Sequence, residues 1–277
     1  MNITGNCSLE QKRLVTSAKR KNRYNKAMLM SWTKYLLAKG QFMLWAPTAV
    51  KVSYAVSVII LSYSLYLGLF IAPADQVQGE VFRIIYVHVP MAALSLALYA
   101  ALALMCALFW IFHIKMADHA AVACAGVGLT ITTLALATGS IWGKPTWGVW
   151  WIWDARLTSE ALLWLLFVGY LSLRFSLHPI VYAKKIAAIV GFIGIFDVPL
   201  IHYSVQWWYT LHQGSSILHF AKPTIAWSML FPLLWSIAGF SLLVLAMVLH
   251  TIIVCILAER HSCVSTSTTK TIHIKDF

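Results

Sequence analysis

The chain has 277 residues, of which 60% are hydrophobic and 11% charged, and its mean hydropathy is +0.76. Soluble domains carry about 25% charged residues, so this composition excludes an ordinary soluble protein and predicts an all-α, polytopic membrane protein. The net charge of +12 is typical of a protein that contacts the anionic headgroups of a lipid bilayer, and we expect no nucleic-acid binding from it.

Six apolar runs are long enough to cross a bilayer, which takes about 20 residues per helix. A basic extension, residues 1–48, precedes the first run, and a polar tail, residues 259–277, follows the last. Between them we expect one six-helix membrane domain, residues 49–258. Its spans are expected at residues 52–71, 84–112, 120–141, 157–175, 186–205 and 225–257.

Lysine and arginine are distributed unequally between the segments that connect these spans. If the N-terminus lies in the cytoplasm, seventeen of the 21 basic residues fall on the cytoplasmic side. The other four fall on the outer side, and they are Arg83, Lys144, Arg156 and Lys222. Basic residues favour the cytoplasmic side of a membrane, so we predict that both termini are cytoplasmic.

This topology places three segments on the outer face, at residues 73–88, 142–158 and 206–224. The second segment reads WGKPTWGVWWIWDARLT and contains five tryptophans, at positions 142, 147, 150, 151 and 153. An interfacial belt explains single rings at helix ends, but this spacing matches neither a helix nor a strand period. We interpret the loop as an apolar platform for a flat aromatic ligand. Because we find no Gly-rich phosphate loop, haem is a better match than a nucleotide, and a plain belt is the alternative.

Histidines on the outer face are candidate ligands, since haem iron takes axial ligands that are commonly histidine. His88 lies two residues before Pro90, whose missing N–H leaves the Tyr86 carbonyl without its usual helical partner and can bend the helix. His212 lies in the third outer segment, soon after two tryptophans. We predict that these two histidines are functional, whereas a buried hydrogen bond is the simpler explanation of His202.

Asp154 and Arg156, which close the second segment, have two interpretations each. Asp154 can cap the helix that begins near Leu157, and Arg156 can pair with Glu160 one turn on. Alternatively, Arg156 contacts the propionate carboxylates of haem, which are costly to bury unpaired. Other outer basic residues that could take that role are Lys144 and Arg83.

Three stretches together resemble a known family. The run WGKPTWGVWWIWDARLTSE resembles the tryptophan-rich WWD signature of the haem-handling proteins of cytochrome c maturation. APADQVQGEVFRIIYVHVP and IHYSVQWWYTLHQGS resemble the first and last outer segments of one family in that superfamily, haem exporter protein C (CcmC). The related CcmF and CcsA haem lyases are longer and have more spans, so six spans in 277 residues favour CcmC. The basic extension is longer than the resemblance predicts.

The resemblance implies a haem site with defined residues. It implies that His88 and His212 are the axial ligands of the haem iron. The other cofactor-binding residues that it implies are Trp142, Trp147, Trp150, Trp151, Trp153 and Asp154. Arg156 is added as a candidate contact for the propionates. The cofactor is expected to be b-type haem that is bound transiently.

The resemblance also implies a function and a set of partners. Members of this family work in the bacterial inner membrane with the ABC-type exporter CcmA and CcmB, the small protein CcmD and the haem chaperone CcmE. We therefore expect this chain to bind haem on the periplasmic face and to present it to CcmE, with release driven by the CcmAB ATPase. Because we find no nucleotide motif in the chain, we expect a carrier component rather than an enzyme.

Two alternative functions differ from this one in what they require of the sequence. A haem lyase of the same superfamily, which attaches haem to apocytochrome c, would be expected to have extra spans and a large outer domain. A channel or solute transporter would need polar residues along a central path, yet few ionisable residues besides Asp197 lie deep in the expected spans. The carrier is therefore the preferred interpretation.

Overall fold

The structure, a computed structural model, describes residues 39–208, Thr210, His212 and residues 225–273, with the backbone alone for residues 261–273. Most of the basic extension and most of the third outer segment, including Lys222, therefore lie outside the described residues. The chain divides after Trp45 into two units. Of the first unit, the structure describes only the opening turns of one helix, and the second unit, residues 46–277, contains the rest.

The described residues are almost entirely helical. A π-helical turn, Leu67–Ile71, continues the first helix, and short 3₁₀ segments, Glu80–Ile84 and Gly194–Phe196, precede the second and sixth helices. The helices are α1 (Lys39–Tyr66), α2 (Ile85–Phe112), α3 (Lys115–Trp147), α4 (Ala155–Ser176), α5 (Ile180–Ile193), α6 (Asp197–Trp207) and α7 (Trp227–His273).

Six of the described helical segments are long and apolar enough to cross a membrane. The all-α, six-span architecture predicted from the sequence is thereby confirmed. The fifth span consists of α5 and α6 joined end to end through their 3₁₀ turn, over Ile180–Trp207. Helix α7 continues as backbone helix to His273, well past the end of the apolar run.

Helix α3 is longer than its apolar run, and this corrects the expected loop at residues 142–158. The helix runs through Pro145 to Trp147. Gly148 follows as a left-handed glycine cap, with a φ of 80° and an N–H that donates to the Lys144 carbonyl at 3.0 Å. Trp142 and Trp147 are consequently helical residues. Since α4 already begins at Ala155, the loop itself spans only residues 148–154. Polar and aromatic residues at the end of α3 lower the mean hydropathy there, although the backbone remains helical.

Helices α2 and α3 form a hairpin with a two-residue connection, and this pair packs more extensively than any other. His113 has a left-handed φ of 55° and ends α2, and Ile114 is extended and starts α3. The end of the helices that carries this turn and the α4–α5 connection is called here the opposite end. The end that carries Trp142 and residues 148–154 is called the tryptophan end.

A buried apolar core between α2, α3 and α4 holds the tryptophan end in place. Tyr99, Leu102 and Phe167 are fully buried in it. The Phe167 ring packs directly over Gly128 of α3, where a Cβ atom would lie 2.4 Å from ring carbons. The absence of a side chain at Gly128 therefore sets the close approach of α3 and α4.

The opposite end contains more buried ionisable groups than the sequence suggested. Asp118 at the start of α3 accepts from Arg174 Nη2 at 3.1 Å and lies 2.7 Å from Lys184 Nζ. The Asp118 and Arg174 side chains are 4% and 9% exposed. A buried charge is tolerated when it is paired in this way, so these ion pairs connect α3, α4 and α5.

Candidate functional site

A pocket opens at the tryptophan end between α2, α3 and α4. Its empty volume, which includes solvent at the open mouth, is about 390 Å³. Its lining residues are His88, Ala92, Ala135, Leu136, Gly139, Trp151, Arg156, Leu157, Glu160 and His212. Both histidines that the sequence singled out therefore lie on one cavity, although 124 positions separate them in the chain.

The proton position on His88 follows from its hydrogen-bond partner. His88 Nδ1 lies 3.0 Å from Thr138 Oγ1. The Thr138 hydroxyl donates to the Leu134 carbonyl at 2.7 Å, which favours the tautomer in which His88 Nδ1 donates to the hydroxyl oxygen. A neutral imidazole with its proton on Nδ1 has a free lone pair on Nε2. His88 is thus prepared to bind a metal through Nε2.

Two residues of α3 support the His88 ring from the side. At Gly139 a Cβ atom would lie 3.0 Å from His88 Cε1, so glycine allows the ring to rest against the helix backbone. The Trp142 ring meets the His88 ring edge to face, with 5.6 Å between centroids. Trp142 in turn donates from Nε1 to Gln78 Oε1 at 2.8 Å. Gln78 of the first outer segment therefore fixes the position of the Trp142 ring, which in turn packs against His88.

His212 is supported by the next tryptophan of α3. The Trp147 and His212 ring centroids are 4.9 Å apart, and the His212 backbone N–H donates to Thr210 Oγ1 at 2.8 Å. His212 Nδ1 is buried and has no hydrogen-bond partner among the described residues. Burial, together with the positive charge of Arg156 and the neighbouring His88, lowers the pKa of His212 to about 3. The ring is therefore neutral, as a metal ligand must be.

The five tryptophans of the WWD signature have different surroundings in the structure, and the rings of Trp151 and Trp153 contact each other with centroids 5.5 Å apart. Trp142 and Trp147 each contact a histidine ring, as described above. Trp151 lines the pocket, and its Nε1 is buried without a hydrogen-bond partner in the described part of the chain. Trp150 and Trp153 are 58% and 80% exposed and lie off the pocket. The signature thus combines ring supports, one pocket wall and two outward-facing rings.

Asp154 and Arg156 connect the pocket to the helices around it. Asp154 Oδ1 accepts from the Leu157 N–H at 2.7 Å, which confirms the helix cap predicted from the sequence. Arg156 donates to the Ile201 carbonyl at 3.1 Å and also interacts electrostatically with Glu160. Glu160 accepts from Ser95 Oγ at 2.7 Å. These bonds connect α4 to α6 and to α2.

Other candidates from the sequence lie away from the pocket lining. The His202 ring on α6 packs against Tyr203, with centroids 4.8 Å apart. Lys144 Nζ donates to the Gly148 carbonyl at 2.9 Å, and Arg83 donates to the Gly68 carbonyl at 2.9 Å. Of the three basic residues considered for the propionates, Arg156 is the one that lines the pocket.

Thr138, Gly139 and Gln78 were missed by the sequence reasoning. Each acts across a large sequence separation, 50 residues for His88–Thr138 and 64 for Trp142–Gln78. Thr138 and Gly139 are small residues inside an apolar run, where such residues are usually packing residues, and only the register of α2 against α3 shows their role. Gln78 lies in the first outer segment, and its role depends on the approach of that segment to α3.

These features define a class of protein: a multi-pass membrane protein with a histidine-lined pocket at one end of its helices. The comparisons with known proteins identify the family. The family model described as heme exporter protein C matches residues 32–267, and the chain belongs to that family.

Similar curated proteins carry the same description. The heme exporter protein C of Escherichia coli K12 is 44% identical over 204 residues, which cover 74% of this chain and 79% of that protein. The heme exporter protein C of Haemophilus influenzae is 44% identical over 184 residues, or 66% and 75% of the two chains. A ccmC-like mitochondrial protein of cytochrome c biosynthesis from Marchantia polymorpha is 42% identical over 177 residues, or 64% and 75%.

Family membership establishes the general role. The chain is a haem-handling component of cytochrome c biogenesis, a transport and maturation protein rather than an enzyme, and it works within a Ccm system that has further partners. The resemblance to CcmC noted in the sequence is thereby confirmed.

Proposed function

We propose that the protein binds b-type haem transiently, as cargo, in the pocket at the tryptophan end, with His88 and His212 as the axial ligands of the iron. The observation that carries this proposal is that both imidazoles line one pocket. The His88 imidazole has a free ring nitrogen, and the His212 imidazole is neutral. Each ring packs against a tryptophan of α3. Iron in haem takes ligands of this kind.

The remaining pocket residues suit a large apolar macrocycle with a charged edge. Ala92, Ala135 and Leu136 make apolar walls, and Trp151 adds an indole face for ring contact. Two buried nitrogens, Trp151 Nε1 and His212 Nδ1, have no hydrogen-bond partner among the described residues. A bound ligand could supply the missing polar or metal contacts. Arg156 supplies a fixed positive charge beside the pocket, which suits a propionate carboxylate.

The role in the cell follows from the family and from the distribution of charge. We propose that the tryptophan end faces the periplasm across the bacterial inner membrane, because seventeen of 21 basic residues then lie on the cytoplasmic side. In that orientation the pocket opens toward the haem chaperone CcmE, to which the chain presents haem. CcmD and the exporter CcmA and CcmB complete the proposed complex, and ATP use by CcmA drives release.

Ligand rescue tests the proposed axial pair. The purified protein should show a six-coordinate, bis-histidine haem spectrum. His88→Gly and His212→Gly should each leave one axial position open, so that added imidazole restores the six-coordinate spectrum. Both variants should still bind haem more weakly than the unchanged protein, because one of two iron bonds is lost.

His202→Gly is the matched control, since it removes a histidine from the same end of the bundle that does not line the pocket. Its spectrum should stay six-coordinate and should not respond to imidazole. Rescue of His202→Gly without rescue of His212→Gly would refute the ligand assignment. Covalent attachment of haem to a co-expressed apocytochrome by this chain alone would favour a lyase instead.

A further inference from the structure

A serine of α7 binds a backbone carbonyl of α2 that proline has freed. Pro90 has no N–H, so the Tyr86 carbonyl one turn earlier cannot make the usual helical bond. Ser236 Oγ donates to this carbonyl. Ser236 and Tyr86 are 0% and 1% exposed, so water does not reach the bond, and the contact satisfies an acceptor that would otherwise be buried unpaired.

Three other helical serines behave differently. Ser57, Ser204 and Ser241 donate to carbonyls three or four residues earlier in their own helices. Such a bond is common inside helices and transmits nothing between them. The hydroxyl of Ser236 reaches a different helix, 150 residues away in the chain.

The packing around this bond is tight and includes the aromatic support of His88. Tyr86 and Leu233 belong to a small buried cluster against which Trp142 also packs. The Tyr86 ring covers Gly68, where a Cβ atom would lie 2.5 Å from the ring. Little room is therefore left for Tyr86 to move, and α7 is held at a fixed height against α2.

We propose that Ser236 is a positioning residue for the haem ligand His88. Tyr86 lies two residues before His88, so the bond fixes the turn of α2 that carries the ligand. On the other side, Thr138 and Gly139 of α3 contact the His88 ring. The ligand turn is thus held from α7 through its backbone and from α3 through its side chain. This inference rests on the proposed haem function.

A double-mutant cycle with Pro90 tests the inference. Ser236→Ala leaves the Tyr86 carbonyl buried without a partner. In the haem-free protein, amide exchange in a peptide covering residues 82–92 should rise roughly 5- to 30-fold, the effect of losing a buried bond. In Pro90→Ala, residue 90 regains an N–H that can bind the Tyr86 carbonyl itself. Adding Ser236→Ala to Pro90→Ala should therefore increase exchange far less.

The haem-loaded protein provides the second readout. Ser236→Ala should convert part of the six-coordinate spectrum to a five-coordinate form that imidazole restores. Ser241→Ala is the matched control, since it removes a hydroxyl from the same helix that bonds only within that helix. It should change neither the exchange nor the spectrum.

Three results would overturn the inference. The first is an equal increase in amide exchange from Ser236→Ala with and without Pro90→Ala. The second is an equal change in exchange and haem spectrum from Ser241→Ala. The third is faster exchange in Ser236→Ala with an unchanged haem spectrum. If the unchanged protein bound no haem, the proposed function would fail and the positioning role with it. The exchange data would still report whether Ser236 holds the turn.

Discussion

The state of His88 depends on one hydrogen atom of Thr138. Because the hydroxyl donates to the Leu134 carbonyl, its oxygen is available as an acceptor, and this favours the tautomer with the imidazole proton on Nδ1. Histidines that bind metals commonly have their second nitrogen fixed in this way. The helix backbone of α3 thereby determines which nitrogen of a side chain on α2 is free.

Thr138→Val tests this arrangement. Valine keeps the shape of threonine but removes the acceptor, so the proton of His88 is no longer held on Nδ1. Haem affinity should fall about 10- to 100-fold, as is usual for loss of such a partner, when measured by titrating haem into the haem-free protein. Thr138→Ser should retain affinity. Thr130→Val, which removes an exposed hydroxyl that bonds within α3, should match the unchanged protein, and an equal loss there would point to helix stability instead.

The tryptophans give a second prediction at this scale. Trp151→Ala removes a pocket wall and should weaken haem binding roughly tenfold, the upper range of an aromatic contact. Trp150→Ala and Trp153→Ala remove exposed rings and should weaken it less. Haem titration of the three single variants decides the order. A larger effect at Trp150 or Trp153 would mean that these rings turn inward when haem binds.

Among the elements, α3 supports both proposed ligands. Trp142 contacts His88 and Trp147 contacts His212, and both rings lie on the helical extension beyond the expected span. Hydropathy predicted the apolar part of α3 but not this extension, because polar and aromatic residues lower the average while the backbone stays helical. The irregular tryptophan spacing matches no helical period, so the sequence predicted a loop where the structure has the end of a helix.

The segment that carries His212 should respond to acid. In the folded protein the pKa of His212 is about 3, below its ordinary value of 6.5, because burial disfavours the charged ring. Between these values the unfolded chain binds a proton that the folded chain does not, so His212 opposes folding increasingly as pH falls from 6.5 toward 3. Above pH 6.5 both states are neutral and this effect is absent.

His212→Gln isolates this contribution, since glutamine does not titrate. The midpoint of thermal unfolding should be measured in detergent from pH 4 to pH 8 for both haem-free proteins. The stability of the unchanged protein relative to the variant should be greatest above pH 6.5 and should decrease on acidification. A difference that stays constant across this range would show that His212 is exposed in solution.

At the scale of the whole molecule, the number of spans could be predicted from sequence because each depends only on composition over one bilayer thickness. The predicted topology placed His88 and His212 on the same outer face as candidate ligands, and the resemblance implied that they act as a pair. Contacts such as Ser236 with Tyr86 and Arg156 with Ile201 depend on helix register, which composition does not encode. The buried ion pairs of Asp118 were missed because each partner lies near the end of its own apolar run.

Reporter fusions test the predicted orientation of the whole molecule in the membrane. A reporter fused after Lys115 or after Phe277 should report a cytoplasmic location. A reporter fused after Gly214 should report a periplasmic location. The excess of lysine and arginine on one side is the physical reason. Alkaline phosphatase and green fluorescent protein fusions provide the opposite readouts. A reversed pattern would place the pocket in the cytoplasm.

The two-residue turn between α2 and α3 has a consequence for biogenesis. The segments on either side, Glu80–Phe112 and Lys115–Trp147, are both 33 residues long, so residues equally far from the turn stand at the same depth, as His88 and Gly139 do. With so short a connection, we expect the two helices to enter the bilayer as one hairpin. Thr138 would then lie beside His88 during insertion, and the imidazole need not cross the hydrocarbon unpartnered. Translation of one continuous stretch would supply a proposed haem ligand together with the helix wall that supports it.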